Sequence, residues 1–187
     1  MYELSDFKKG LRVMCEGSPY QVVDFQHVKP GKGNQFTRTT LRNLLTGQQL
    51  ERTFKQGERF EVPNVENKEM QFLYKDDSGW NFMDQTNFEQ VALNATEVGD
   101  AANYLIENLE VTLLFYNDRP VSVDVPKAVN LRVAKSDPGV KGDRVTGATK
   151  QATMETGLVV GVPLHINEGD LLRIDTASGD YVGRVND

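Results

Sequence analysis

Residues 20–41 read YQVVDFQHVKPGKGNQFTRTTL. The outer parts, residues 20–27 and 36–41, are rich in β-branched and aromatic residues and read as strands. Between them Pro30 fixes its own φ, and Gly31 is expected to accept φ > 0 in a tight turn. The whole is a hairpin with a stiff apex, and Lys32, between Gly31 and Gly33, is the cation at its tip. Arms of about six to eight residues at roughly 3.3 Å per residue would carry the ammonium on the order of 20 Å from the body of the domain. The plain alternative is a solvated lysine in a glycine-rich turn.

Outward from this hairpin the chain continues as short β segments. Residues 11–15 and 49–54 join the two arms, separated by the turns Glu16-Gly17-Ser18-Pro19 and Thr46-Gly47, which is the spacing of a small barrel. Val62-Pro63-Asn64 and Val125-Pro126 interrupt the pattern and divide the chain into residues 1–64, 65–126 and 127–187. The first suits an SH3-like barrel. The second offers strands at 69–74, 80–83, 110–116 and 120–124, with a helix expected over residues 99–108, capped by Asp100 and burying Ala102, Leu105 and Ile106. Short strands with one helix indicate an OB-type barrel. The third repeats the theme with strands at 128–134, 157–163, 171–175 and 181–185 and reads as another small barrel. Each is small for its own core, so neighbouring domains are expected to support one another.

The formal charge of −6 conceals an asymmetry. Residues 1–64 carry ten Lys and Arg against seven Asp and Glu, residues 65–126 carry three against twelve, and residues 127–187 carry eight of each. An anionic partner at the basic end is a reasonable expectation, whereas the middle segment would repel a phosphate backbone. There is no apolar run long enough for a bilayer and no signal-peptide-like start, so the chain is expected to be cytoplasmic, with no membrane partner. Cys15 is the single cysteine and can form no intramolecular disulfide.

Catalytic patterns are weak. His27 and His165 lie far apart with no metal-binding spacing, and no metal or cofactor is expected. Gly31-Lys32 is not a phosphate-binding loop of the Walker type, because Gln26 stands where its first glycine would be and Gly33 where a magnesium-binding hydroxyl would be. A Schiff-base role for Lys32 needs a desolvating pocket, which a protruding glycine-flanked apex does not offer. No enzyme activity is expected.

Two long motifs carry a family resemblance. The first is Lys29-Pro30-Gly31-Lys32-Gly33, followed by Phe36 and by Leu41-Arg42-Asn43-Leu44-Leu45-Thr46-Gly47. The second runs from Asp137-Pro138-Gly139-Val140-Lys141-Gly142-Asp143 through Lys150, Ala152, Thr156-Gly157, Val162-Pro163, Glu168-Gly169-Asp170 and Arg173-Ile174 to Ser178-Gly179, Tyr181-Val182 and Arg184-Val185. In this order the chain resembles bacterial elongation factor P along essentially its full length. The chain departs from the family where Arg144, Gln151 and His165 stand in place of its commoner residues.

The resemblance implies a mainly β fold of three barrels, an SH3-like (KOW-type) domain followed by two OB-type domains, in an L-shaped, tRNA-like array. It implies a monomeric, non-enzymatic elongation factor that enters the ribosome between the peptidyl and exit sites and relieves stalling at consecutive prolines. Lys32 would steady peptidyl-tRNA, especially prolyl-tRNA, and would be a candidate for modification on its ε-amine by a dedicated enzyme. Pro30, Gly31 and Gly33 would shape the loop, and Lys29, Arg38, Arg42, Tyr181 and Arg184 would contact RNA. Gly142, Asp143 and Arg144 would approach messenger RNA. Other readings compatible with the residues are an elongation factor P-like paralogue and a general RNA-binding module. Two-domain initiation factor 5A resembles only the first two thirds.

Overall fold

The computed structural model describes residues 1–138 and 148–186. They form sixteen strands: β1 (Tyr2–Glu3), β2 (Arg12–Cys15), β3 (Ser18–Val28), β4 (Phe36–Asn43), β5 (Gln49–Lys55), β6 (Arg59–Phe60), β7 (Val65–Asp76), β8 (Gly79–Asp84), β9 (Gln90–Leu93), β10 (Glu110–Tyr116), β11 (Arg119–Asp124), β12 (Ala128–Ser136), β13 (Thr149–Met154), β14 (Val159–Pro163), β15 (Leu171–Asp175) and β16 (Tyr181–Val185). By packing the chain falls into two compact units, residues 1–66 with 115–122, and residues 67–114 with 123–187. Three curled sheets carry three barrels, so the mainly β expectation holds.

In the N-terminal barrel β2-β3-β4-β5 is an antiparallel meander, and the short pair β1-β6 lies beside it. Alternation places Thr37, Thr39 and Leu41 of β4 inward and leaves Arg38 and Arg42 exposed. The core contains Val13, Val22, Leu41 and the rings of Phe7, Phe54 and Phe60, with Phe54 and Phe60 edge to face at 4.8 Å. Buried aromatic clusters of this kind stabilise by about 2 kcal/mol per ring and fix the root from which the long hairpin rises.

The central sheet has the order β11-β10-β7-β8-β9. Phe72 and Phe82 face one another across β7 and β8 at 5.4 Å. Gly79 turns this hairpin at φ +119, and a Cβ there would collide with the Leu93 carbonyl oxygen. The helix expected over residues 99–108 is not what forms. A four-residue helix α1 (Ala95–Val98) starts earlier, capped reciprocally by Asn94 and Glu97, and Gly99 ends it at φ +55. A 3₁₀ turn over Gly99–Asn103 follows, so the buried set is Ala101, Tyr104 and Leu105 rather than Ala102, Leu105 and Ile106. Asp100 caps nothing: Asn94-x-x-Glu97 was the stronger start signal.

The last sheet, β14-β13-β12-β15-β16, encloses Val129, Leu131, Val133, Val160, Val162, Leu172 and Ile174. Tyr104 is buried in the same cluster, and the Thr156 hydroxyl donates to the Asn103 carbonyl at 2.6 Å. β13 is absent from the sequence expectation, because its start, Thr149-Lys150-Gln151, is polar and only Ala152 and Met154 turn inward. β14 begins at Val159, since Gly157 sits in the preceding turn at φ +92 with its N–H on Met154 O. No helix of the described residues is long and apolar enough to cross a membrane.

Candidate functional site

β3 and β4 remain paired as far as Val28 opposite Phe36, so the tip is the seven-residue loop Lys29, Pro30, Gly31, Lys32, Gly33, Asn34 and Gln35. A register shift between Val22 and Asp24 marks a bulge in the lower arm, which increases local twist. Near the top, His27 Nδ1 lies 2.8 Å from the Thr37 hydroxyl, and the rings of Phe25 and His27 stack edge to face at 5.2 Å. Thr37 and Thr39 are buried polar residues on the inner face of the arm, a feature that a strand pattern alone does not single out.

All residues of the loop are exposed. Pro30 holds its φ, but the positive φ belongs to Gly33, at +112, and not to Gly31. The expectation of a tight Pro-Gly turn is corrected accordingly: the loop reverses over seven residues and needs its left-handed residue three positions after the proline. A Cβ on Gly31 would meet nothing within 4 Å, and one on Gly33 would meet only Pro30 Cγ at 3.9 Å. Among the described residues no hydrogen bond or ion pair holds the Lys32 ammonium, which stays free for an outside anion.

Below the tip, strand alternation sets Arg38 and Arg42 on the outer face of β4. Arg38 lies opposite Gln26 and Thr53, with its guanidinium 5.7 Å from the Phe36 ring centroid; Arg42 lies opposite Gln21 and Gln49. Three other cations of this barrel are matched by carboxylates, Lys9 with Asp24 at 3.4 Å, Arg52 with Glu16 at 2.6 Å and Arg59 with Glu3 at 3.3 Å. Lys32, Arg38 and Arg42, along the arm and its end, have no ion pair of this kind among the described residues, and neither do Lys8, Lys29 and Lys55. Lys29 is exposed at the root of the loop, beside a groove shared with His27, Gln35 and Phe36.

Elsewhere, Tyr181 packs partly against the C-terminal core, and Arg184 is exposed three residues on, along edge strand β16. The structure thus gives Tyr181 a packing role that the sequence did not reveal. Gly142, Asp143 and Arg144 lie outside the described residues. Burial, then the negative Glu16, raises the half-buried Cys15 thiol above its ordinary value, the opposite of what a reactive thiolate requires. Among the described residues no group of three or more His, Cys, Asp or Glu could hold a metal ion.

The chain matches three family profiles in order: elongation factor P KOW-like domain over residues 3–60, elongation factor P OB domain over 65–123, and elongation factor P, C-terminal, over 129–184. It is 73% identical over 186 residues to elongation factor P of Bdellovibrio bacteriovorus, covering 100% of this chain and 99% of that one. It is 47% identical over 185 residues to that of Syntrophus aciditrophicus, covering 99% of each. Among solved structures, eukaryotic translation initiation factor 5A from Methanococcus jannaschii matches with a TM-score of 0.50 at 22% identity, over 65% of this chain and 94% of that one. A translation initiation factor eIF-5A family protein from Naegleria fowleri gives 0.51 at 19%, over 66% and 96%. At such identity the structural likeness speaks for the fold alone.

Proposed function

This chain belongs to the elongation factor P family and is a translation elongation factor, and on that premise we propose that it binds the ribosome between the peptidyl and exit sites and speeds peptide-bond formation at consecutive prolines. The observation that carries the reading is Lys32: exposed, unpaired and at the end of a two-stranded arm whose outer face bears Arg38 and Arg42. Its ammonium steadies the acceptor end of peptidyl-tRNA, especially prolyl-tRNA. Arg38, Arg42 and Lys29 hold tRNA backbone, and Pro30, Gly31 and Gly33 keep the tip narrow.

The chemistry asks for no catalytic group. Proline's locked φ and ring nitrogen make a poorly oriented nucleophile, and ordering the reactants lowers such a barrier without a protein group entering the bond-making step. A cation about 4 Å from a phosphate gains roughly 4 kcal/mol at an effective dielectric near 20, before desolvation. That is enough to bias a floppy RNA end.

In this reading the chain is a cytoplasmic monomer, not an enzyme, and needs no cofactor. Its three domains are residues 1–64, 65–126 and 127–187, its partners are both ribosomal subunits and tRNA, and Lys32 is the substrate of a modifying enzyme. Contacts at Tyr181 and Arg184 with RNA, and at residues 142–144 with messenger RNA, rest on the family resemblance. The test is Lys32→Ala in a reconstituted translation assay on a polyproline message. Synthesis should fall to the level without factor, with Tm unchanged; full activity would refute the role of Lys32.

A further inference from the structure

Gln85, Thr86, Asn87, Phe88 and Glu89 connect β8 to β9, and the connection holds the benzyl side chain of Phe88 out in water. Phe88 is 69% exposed, whereas Phe72 and Phe82 of the same barrel are 6% exposed or less. Its φ is +61, a left-handed conformation that Asn, Asp and Gly adopt readily and a bulky residue does not. The other non-glycine residues with positive φ among those described are Glu16, Asn108, Asn117 and Asp118, none of them apolar. The connection is nonetheless well tied. Thr86 N–H donates to Asp84 Oδ1 at 2.7 Å, Phe88 N–H to Asp84 O at 2.9 Å, Glu89 N–H to Asn87 Oδ1 at 3.0 Å and Asp84 N–H to Glu89 O at 2.8 Å. The backbone beneath the ring is held, and most of the ring stays exposed.

Gln85 of the same turn donates to Glu110 Oε1 at 3.4 Å, which ties the turn to the rim of a groove of about 270 Å³. Glu69, Glu110 and Asp124 line it together with Thr112 and the apolar Val111, Val125 and Pro126, so it joins three carboxylates to a small apolar patch and holds no cation. We propose that Phe88 and this groove form a docking surface for a basic protein segment, with the ring as the apolar anchor. An exposed ring that loses its water on docking supplies binding energy over a small area. Asp84 and Glu89 beside it, with Glu110, steer a cationic partner and repel a phosphate backbone. The twelve acids against three basic residues in 65–126 act in the same sense. Aromatic rings also stack on bases, so RNA is the rival that the test must separate. The inference concerns the central barrel and stands apart from where Lys32 acts.

The full-length chain, labelled for amide NMR, is titrated with three probes: a short peptide of alternating leucine and lysine, its serine–lysine counterpart, and a short uridine oligomer. The leucine–lysine peptide should shift the amides of residues 84–90, Glu110 and Asp124. Its affinity should fall at least about fivefold in Phe88→Ala and stay near native in Phe88→Tyr, as expected of an anchoring ring. The serine–lysine peptide should bind more weakly and be insensitive to Phe88. Phe88→Asn, which suits the backbone better, should raise Tm while losing the same binding, so loss of docking cannot be ascribed to a damaged fold. The proposal is overturned if the uridine oligomer shifts these amides more strongly than the peptides do. It is also overturned if the leucine–lysine peptide binds elsewhere, or equally well to Phe88→Ala.

Discussion

Two hairpin ends in this molecule each hold a candidate contact side chain in solvent, Lys32 at one and Phe88 at the other, and they do so by opposite means. At the end of β3 and β4 the positive φ is given to Gly33, and Lys32 has no tether among the described residues. At the end of β8 and β9 four hydrogen bonds within the turn fix the backbone, and Phe88 itself carries the positive φ. Side-chain mechanics explain the difference. A lysine has a long flexible stem and finds its target by reach, so a light loop on a stiff arm suffices. A phenylalanine has a short rigid stem, so the backbone must do the aiming.

The comparison breaks most sharply in function. Lys32→Ala should remove polyproline stimulation entirely and move Tm by about 1 °C or less, since an exposed, unbonded side chain contributes little to folding. Phe88→Ala should leave residual stimulation measurable in the same assay. Equal loss in both variants would mean that the two ends serve a single contact.

The next effect separates glycines by what surrounds them. Gly79→Ala drives a Cβ into the Leu93 carbonyl at a position with φ +119, and should cost about 3 kcal/mol in a denaturant titration. Gly33→Ala meets open space apart from Pro30 Cγ and pays mainly for its φ of +112, about 1 kcal/mol. Similar costs for both would show that the Lys32 loop is packed more tightly than its surroundings indicate.

How far the sequence anticipates this contrast differs between the two ends. The Lys32 hairpin is legible because β-branched arms, a proline and two glycines each carry a local signal. Even so, which glycine turns left-handed depends on the whole loop, and the composition pointed to Gly31. Strands with clean alternation, such as β10, β15 and β16, match their expected limits. β13 does not, because its inward positions are only Ala152 and Met154 and its neighbours are polar. The misplaced helix has the same origin: apolar residues around Tyr104 reflect burial in the C-terminal cluster, not a helical face. Phe88 was invisible for the converse reason, since an isolated aromatic between turn residues reads as core until its exposure is known.

A smaller effect tests the claim about aiming directly. Phe88→Asn replaces a bulky residue at φ +61 with one that tolerates it, and should stabilise by about 1 kcal/mol. A destabilised variant would mean that the ring, despite its exposure, contributes packing.

The least effect concerns turns closed by a carboxylate. Asp76, in the β7–β8 turn, accepts hydrogen bonds from the side chain and backbone N–H of Ser78, and the Ser78 hydroxyl foremost, then the Asn81 amide, hold its carboxyl below the ordinary value near 3.8. Because the folded value is the lower one, this turn contributes stability above the unfolded value and loses it as pH falls through the folded value. Asp76 is fully exposed, so the change is a slight steepening of the acid limb of the stability curve, and Asp76→Asn should flatten it. The Lys32 loop has no such carboxylate bond, and Lys32→Ala should leave the acid limb as it is. If that substitution alters it too, the tip is tethered through a contact that the free ammonium does not reveal.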